Sequence, residues 1–189
     1  MPITVPPRVL LGPGPSNVHP RVLGALATPP IGHLDPAFIA LMEETKQLLR
    51  DTFLTDNALT LPISATGSAG MEACLVNLLQ PDDVAIVGVN GVFGGRMVDI
   101  VRRCGARPVA VEAPWGRTIE PEAIAAALRH HPGAKLVALV HAETSTGAWQ
   151  PLEEIGPLVR QAGALLVVDT VTSLAGCPVR IDEWQVDAA

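Results

Sequence analysis

The sequence predicts an α/β fold, a mostly parallel sheet with helices on both faces. Continuous apolar runs recur at 84–89, 136–140 and 164–168, and runs of this length suit strands buried on both sides. Segments with helical spacing separate them, the alternation that builds parallel sheets. Hydrophobic residues make up 48% of the 189 positions and charged residues only 17%, enough apolar surface for a sizeable core.

The elements follow in order. Within 8–17, the run Leu10-Leu11-Gly12-Pro13-Gly14-Pro15-Ser16-Asn17 is an extended or looped arm, too rich in proline and glycine for helix. A short helix is expected from His19 or Pro20. Asp35-Pro36 supplies an N-cap and a proline at the first helical position. Phe38, Leu41, Met42, Leu48, Leu49 and Phe53 then keep a helical spacing to about Leu54. Beyond it the reading is strand 58–63, helix 70–79, strand 84–89, helix 94–104, short strand 108–111 and helix 121–130 with Glu120 near its start. Strand 136–141, helix 151–161 and strand 164–168 complete the series. No linker-like change of composition divides this alternation, so one domain is expected.

Composition excludes several classes of function. A net charge of −6 gives no electrostatic reason to expect a nucleic-acid or anionic-membrane partner. Cys74, Cys104 and Cys177 are widely spaced with no CxxC pair, which fits reduced thiols in a cytosolic protein rather than a disulfide framework or a metal site. The first fifteen residues lack a signal-peptide pattern, and no apolar stretch reaches the ~18 residues of a membrane span. A soluble, cytoplasmic protein is expected.

Four loops carry candidate chemistry. Ser64-Ala65-Thr66-Gly67-Ser68-Ala69-Gly70 joins a strand to a helix; small residues allow close backbone approach, and free N–H groups at a helix start favour an anion. It lacks the GK[ST] of a Walker A loop and the GxGxxG of a dinucleotide site, and a plain turn with a hydroxyl cap has the same composition. Gly88-Val89-Asn90-Gly91-Val92-Phe93-Gly94-Gly95-Arg96 places Phe93 just past a strand end, either as a face for a planar ligand or as a core anchor. His141-Ala142-Glu143-Thr144-Ser145-Thr146-Gly147 offers hydroxyl donors, and His141 and Glu143 are candidates for proton transfer or satisfied structural groups. Asp169 ends the apolar run at 164–168. A carboxylate there needs either backbone donors or a cation, and neither lysine, Lys46 or Lys135, occupies a comparable position.

Together these loops supply an anion cradle, a flat apolar face, hydroxyl donors and a buried acid at one sheet edge, where open α/β sheets bind ligands. The set matches a nitrogen heterocycle carrying a phosphate, namely pyridoxal phosphate, with Asp169 keeping the ring nitrogen protonated.

The same motifs, with Leu11-Gly12-Pro13-Gly14-Pro15-Ser16 and Ile31-Gly32-His33-Leu34-Asp35-Pro36-Ala37-Phe38 before them, resemble in order the class V aminotransferases, closest to the alanine–glyoxylate, serine–glyoxylate and serine–pyruvate group. The resemblance implies a fold type I pyridoxal-phosphate enzyme, with 1–18 as an N-terminal arm and 19–189 as part of the large, cofactor-binding domain. It implies a phosphate site at Thr66, Gly67 and Ser68, Phe93 stacked on the ring, Thr144 donating near it, Asp169 at the ring nitrogen and Val171 on the opposite face. Gly14, in the arm, would lie near the substrate and dimer interface. Substrates would be a small amino acid, alanine or serine, and glyoxylate or another small 2-oxo acid, turned over by a full-length homodimer.

In the family the Schiff-base lysine follows the segment matching Asp187-Ala188-Ala189, so no catalytic lysine is expected here and the chain alone is expected not to transaminate. Exposed apolar surface with aggregation or partial folding is also expected. Rival readings are another class V member, such as a phosphonate aminotransferase or a lyase, and a non-catalytic chain that binds cofactor or a partner subunit. A nucleotide-binding Rossmann protein is disfavoured by the missing glycine fingerprint.

Overall fold

The structure, a computed structural model, describes residues 4–189, so the first three positions of the expected arm lie outside the described residues. The chain divides into two compact units, one running to Met42 and one from Glu43 to Ala189.

In the first unit Asn17 ties the proline- and glycine-rich segment into a loop. Its side chain accepts the Leu10 N–H at 2.8 Å and donates to the Arg8 carbonyl at 2.8 Å. Gly14, at φ +142°, sits inside that loop in a conformation that favours glycine. Helix α1 (Pro20–Leu26) follows, with His19 Nδ1 accepting the Arg21 N–H at 3.2 Å as its cap. Helix α2 (Pro36–Phe53) starts where the sequence places it, Asp35 Oδ1 accepting the Ala37 N–H at 2.8 Å. The division between the units falls inside α2.

The second unit holds the sheet. Strands β1 (Val84–Val89), β2 (Arg107–Glu112), β3 (Ala134–Val140) and β6 (Leu165–Asp169) are parallel, in the spatial order β2-β1-β3-β6. Helices α3 (Gly67–Leu78), α4 (Val92–Arg103), α5 (Pro121–His130) and α6 (Ile155–Gln161) cover it. Alternation along the strands sorts the core into two layers. Ile86, Val137, Leu139, Leu166 and Val168 pack with Ile124 and Leu128 of α5 and Ile155 and Val159 of α6. Ala85, Val87, Leu136, Ala138 and Val167 pack with Met71 and Leu75 of α3 and Met97 and Val101 of α4. Both faces are therefore apolar, which is why these strands read as continuous runs.

Chain order sets the site. The path from β1 through α4 to β2 runs one way along the sheet, and α5 then returns it to β3 on the other side of β1. The loops leaving β1 and β3 part at this reversal, which opens a crevice at the carboxyl edge.

Three readings are corrected. Residues 58–63 form no strand: Leu59, Leu61 and Ile63 are 80%, 53% and 52% exposed, and Pro62 has no N–H to give a ladder. Apolar alternation needs a neighbouring strand, and here only local bonds form, from Thr60 N–H to the Ala58 carbonyl and Ala65 N–H to the Ile63 carbonyl. The helix placed at 151–161 starts only at Ile155, because the Glu153 carboxylate takes the Leu152 N–H at 3.0 Å and holds a turn first. The helix placed at 70–79 starts earlier, at Gly67. The sequence reading also passed over a small antiparallel hairpin, β4 (Ala142–Glu143) with β5 (Ala148–Trp149), which turns through Gly147 at φ +74°.

After β6 the chain returns Val179, Ile181, Trp184 and Val186 to the α5–α6 layer. Asp187 and Ala188 then run beside β6, Val168 N–H donating to the Ala188 carbonyl at 2.9 Å. No helix among the described residues is long and apolar enough to cross a membrane.

Candidate functional site

The crevice lining includes Thr66, Gly67, Ser68, Phe93, Thr144, Asp169 and Val171, so the structure brings together seven of the eight residues to which the family resemblance assigned a role. The eighth, Gly14, belongs to the loop of the first unit.

The anion cradle is the start of α3. Thr66 is its N-cap residue, in extended conformation and without a side-chain cap bond. The first four N–H groups of a helix have no intrahelical partner, and those of Gly67 and Ser68 find none elsewhere in the described residues. Gly67 lets Val171 come close: a Cβ there would stand 2.5 Å from Val171 Cγ2, and the exposed valine would have to shift. The Val171 side chain thus closes over the cradle because position 67 has none.

Arg96 was missed in the sequence. One helical turn beyond Phe93, its guanidinium hydrogen-bonds Ser68 Oγ and lies 5.1 Å from the centre of the Phe93 ring. The signal was the spacing Phe93-Gly94-Gly95-Arg96 at a helix start, which puts both side chains on one face. Lys46 pairs with Glu43 at 2.8 Å, Lys135 is exposed near the amino end of β3, and neither lines the crevice.

Asp169 ends β6 facing the crevice. Its Oδ1 accepts the Val171 N–H at 2.9 Å, and the carboxylate takes no other hydrogen bond among the described residues. Burial pushes its carboxyl above the ordinary value of 3.8; the Val171 N–H opposes this, the charge of Glu143 adds to it, and that of Arg96 opposes it. The hydroxyls of Thr144 and Thr172, both in the crevice lining, share a hydrogen bond, which leaves one hydroxyl proton of the two free to donate.

The two candidates for proton transfer are spent on structure. Trp149 Nε1–H donates to His141 Nε2 at 2.9 Å, so the imidazole proton sits on Nδ1 and donates to Ser173 Oγ at 2.9 Å. The ring is 1% exposed, and burial lowers its pKa below the ordinary 6.5 against the opposing charge of Glu153. Trp184 meets it edge-on at 5.0 Å. His141 is a neutral pin between hairpin and sheet. Glu143, also 1% exposed, accepts N–H groups from Phe93 at 3.0 Å, Gly94 at 3.3 Å and Ser145 at 3.2 Å, and the Ser145 hydroxyl at 2.6 Å.

The sequence profile described as "Aminotransferase class-V" matches residues 19–189. The alanine–glyoxylate aminotransferase of Nostoc sp. superposes with a TM-score of 0.97 at 53% identity, over 100% of this chain and 50% of that one. The (S)-ureidoglycine–glyoxylate transaminase of Bacillus subtilis is 41% identical over 99% of this chain and 45% of its own length. For the alanine–glyoxylate aminotransferase of Drosophila melanogaster the figures are 42%, 100% and 48%. The chain therefore spans about half the length of the curated relatives it matches. A profile match running unbroken from residue 19 through the crevice loops to the last residue, on a backbone that superposes over its whole length, is decisive for ancestry: the chain belongs to the class V aminotransferase family.

Proposed function

We propose that the protein takes part in pyridoxal-phosphate-dependent transamination between a small amino acid, alanine or serine, and glyoxylate or another small 2-oxo acid. Family membership implies pyridoxal phosphate, and the residues of the crevice fit it. The observation that carries the reading is Asp169, a half-buried acid at the end of β6 with one backbone donor and room for a second partner. A protonated ring nitrogen is the cation such a group lacks.

The other roles follow from position. The N–H groups of Gly67 and Ser68, with the hydroxyls of Thr66 and Ser68, would hold the phosphate. Phe93 and Val171 would pack on the two ring faces and exclude water, and Thr144 would donate beside the ring. When bound, the cofactor supplies an electron sink for the amine carbon of the substrate, and Asp169 maintains that sink by keeping a proton on the nitrogen. Gly14 belongs to the substrate side, in an arm over 1–18 that precedes the cofactor-binding domain over 19–189. A cytoplasmic homodimer is the assembly we propose for the complete protein. Glyoxylate is supported as acceptor because the names of relatives with different donors share it.

This stretch of chain holds and tunes the cofactor without anchoring it covalently, since neither lysine lines the crevice. Titration with pyridoxal phosphate, followed by absorbance, should show saturable binding that Asp169→Ala abolishes. Borohydride fixing the cofactor stoichiometrically to Lys46 or Lys135, with turnover, would overturn the proposal.

A further inference from the structure

Helix α4 begins without a cap of its own. Its N-cap position is Gly91, which has no side chain to offer, yet the helix start carries Phe93, the aromatic face of the crevice. The donors of that first turn are satisfied from the loop after β3, some fifty residues away in sequence. Ser145 Oγ accepts the Val92 N–H at 2.9 Å, and Glu143 Oε2 accepts those of Phe93 and Gly94. The other oxygen, Oε1, accepts from the N–H and hydroxyl of Ser145. Position 91 permits this only as glycine, because a Cβ there would run into the Glu143 carboxyl group and lie 2.6 Å from Ser145 Oγ.

We propose that Glu143 is a positioning residue: it fixes the first turn of α4 to the loop after β3, and so sets where Phe93 meets the cofactor ring. The role rests on the cofactor reading above. A buried carboxylate is costly unless its oxygens are met; here one oxygen is met by the turn that presents Phe93 and the other by Ser145. The negative charge also lies at the positive end of α4, which favours the arrangement. Phe93 and Thr144 then belong to one locked assembly rather than to two loops free to drift apart. Residue 144 lies between the two residues that make the lock, so its hydroxyl is placed by the same bonds.

Three variants of the full chain test this: Glu143→Gln, which keeps the volume but turns an N–H₂ toward the backbone donors; the milder Ser145→Ala; and Phe93→Leu, made alone and together with Glu143→Gln. Hydrogen exchange of the Phe93 and Gly94 amides, without cofactor, should accelerate at least roughly tenfold in Glu143→Gln relative to amides of β3. The Kd for pyridoxal phosphate should rise roughly tenfold in Glu143→Gln and in Phe93→Leu, with the double variant no worse than the weaker single. Additive losses in the double variant would assign Glu143 an effect that bypasses Phe93 and overturn the proposal, as would unchanged exchange at Phe93 and Gly94. If Glu143→Gln does not fold, Ser145→Ala decides by the same two readouts. If the unsubstituted chain binds no pyridoxal phosphate, the cofactor reading falls, while the exchange rates still decide whether Glu143 anchors Phe93.

Discussion

Two acids stand at the carboxyl edge of the sheet, Glu143 buried and Asp169 half-buried, and the protein treats them in opposite ways. Around Glu143 the chain supplies donors to both oxygens, from Phe93, Gly94 and Ser145. Around Asp169 it supplies one, the Val171 N–H, and burial drives the carboxyl toward its neutral form. The first is complete without a ligand and behaves as a fastener. The second is stabilised only in part, and what it lacks is what a cationic ring nitrogen brings. Burial alone therefore does not mark a functional acid; the number of donors the protein has already given it does.

The sharpest way to break this contrast is to remove each carboxylate. Glu143→Ala leaves several buried donors unpaired, and we expect it to cost about 3 kcal/mol of stability in denaturant unfolding. A loss below about 1 kcal/mol would show that water replaces the carboxylate easily. Asp169→Asn should do the reverse to the ligand-free chain. Because the folded carboxyl titrates above 3.8, the folded state keeps a proton that the unfolded chain gives up first. The stability from this group is fullest below that pH and declines as pH rises through the folded value. The Asn variant should consequently melt higher than the parent at pH 7, the gap narrowing as the pH is lowered toward 3.8, while binding pyridoxal phosphate at least roughly tenfold more weakly.

Smaller effects refine the same picture. Gly91→Ala should destabilise by about 1–3 kcal/mol through overpacking against Glu143, whereas Gly95→Ala, where an added Cβ meets nothing within 4 Å, should be neutral or slightly stabilising. His141 gives a pH signature away from both acids. Its folded pKa lies below 6.5, so the stability from keeping it neutral is whole above that pH and is lost as pH falls from 6.5 through the folded value. Thermal midpoints measured between pH 7.5 and 5 should decline, and less steeply in His141→Asn than in the parent.

Much of this was legible in the sequence because much of it is local. The strand 84–89 and the helix 121–130 have the same bounds in the structure, since an apolar run and a proline-led helical pattern fix them without help from elsewhere. Much of the crevice lining was readable for a similar reason: Phe93, Thr144, Asp169 and Val171 lie at or shortly past the ends of β1, β3 and β6, and Thr66, Gly67 and Ser68 lie at a helix start. What escaped depended on distant partners. Residues 58–63 carry a strand's composition but find no neighbouring strand. Glu143 looked like a candidate acid because nothing near position 143 announces that the donors of a helix start at 92–94 will converge on it. Arg96 shares a helix face with Phe93 by its spacing, but its partner Ser68 lies twenty-eight residues away and only the fold brings the two together.

The central claim is that Asp169 holds a proton on the nitrogen of a bound pyridine ring. The most direct measurement is the nitrogen chemical shift of pyridoxal phosphate labelled with ¹⁵N in the ring, bound to the parent chain and to Asp169→Asn at neutral pH. A protonated nitrogen in the parent and an unprotonated one in the variant is the result this account predicts; the same protonation state in both would contradict it.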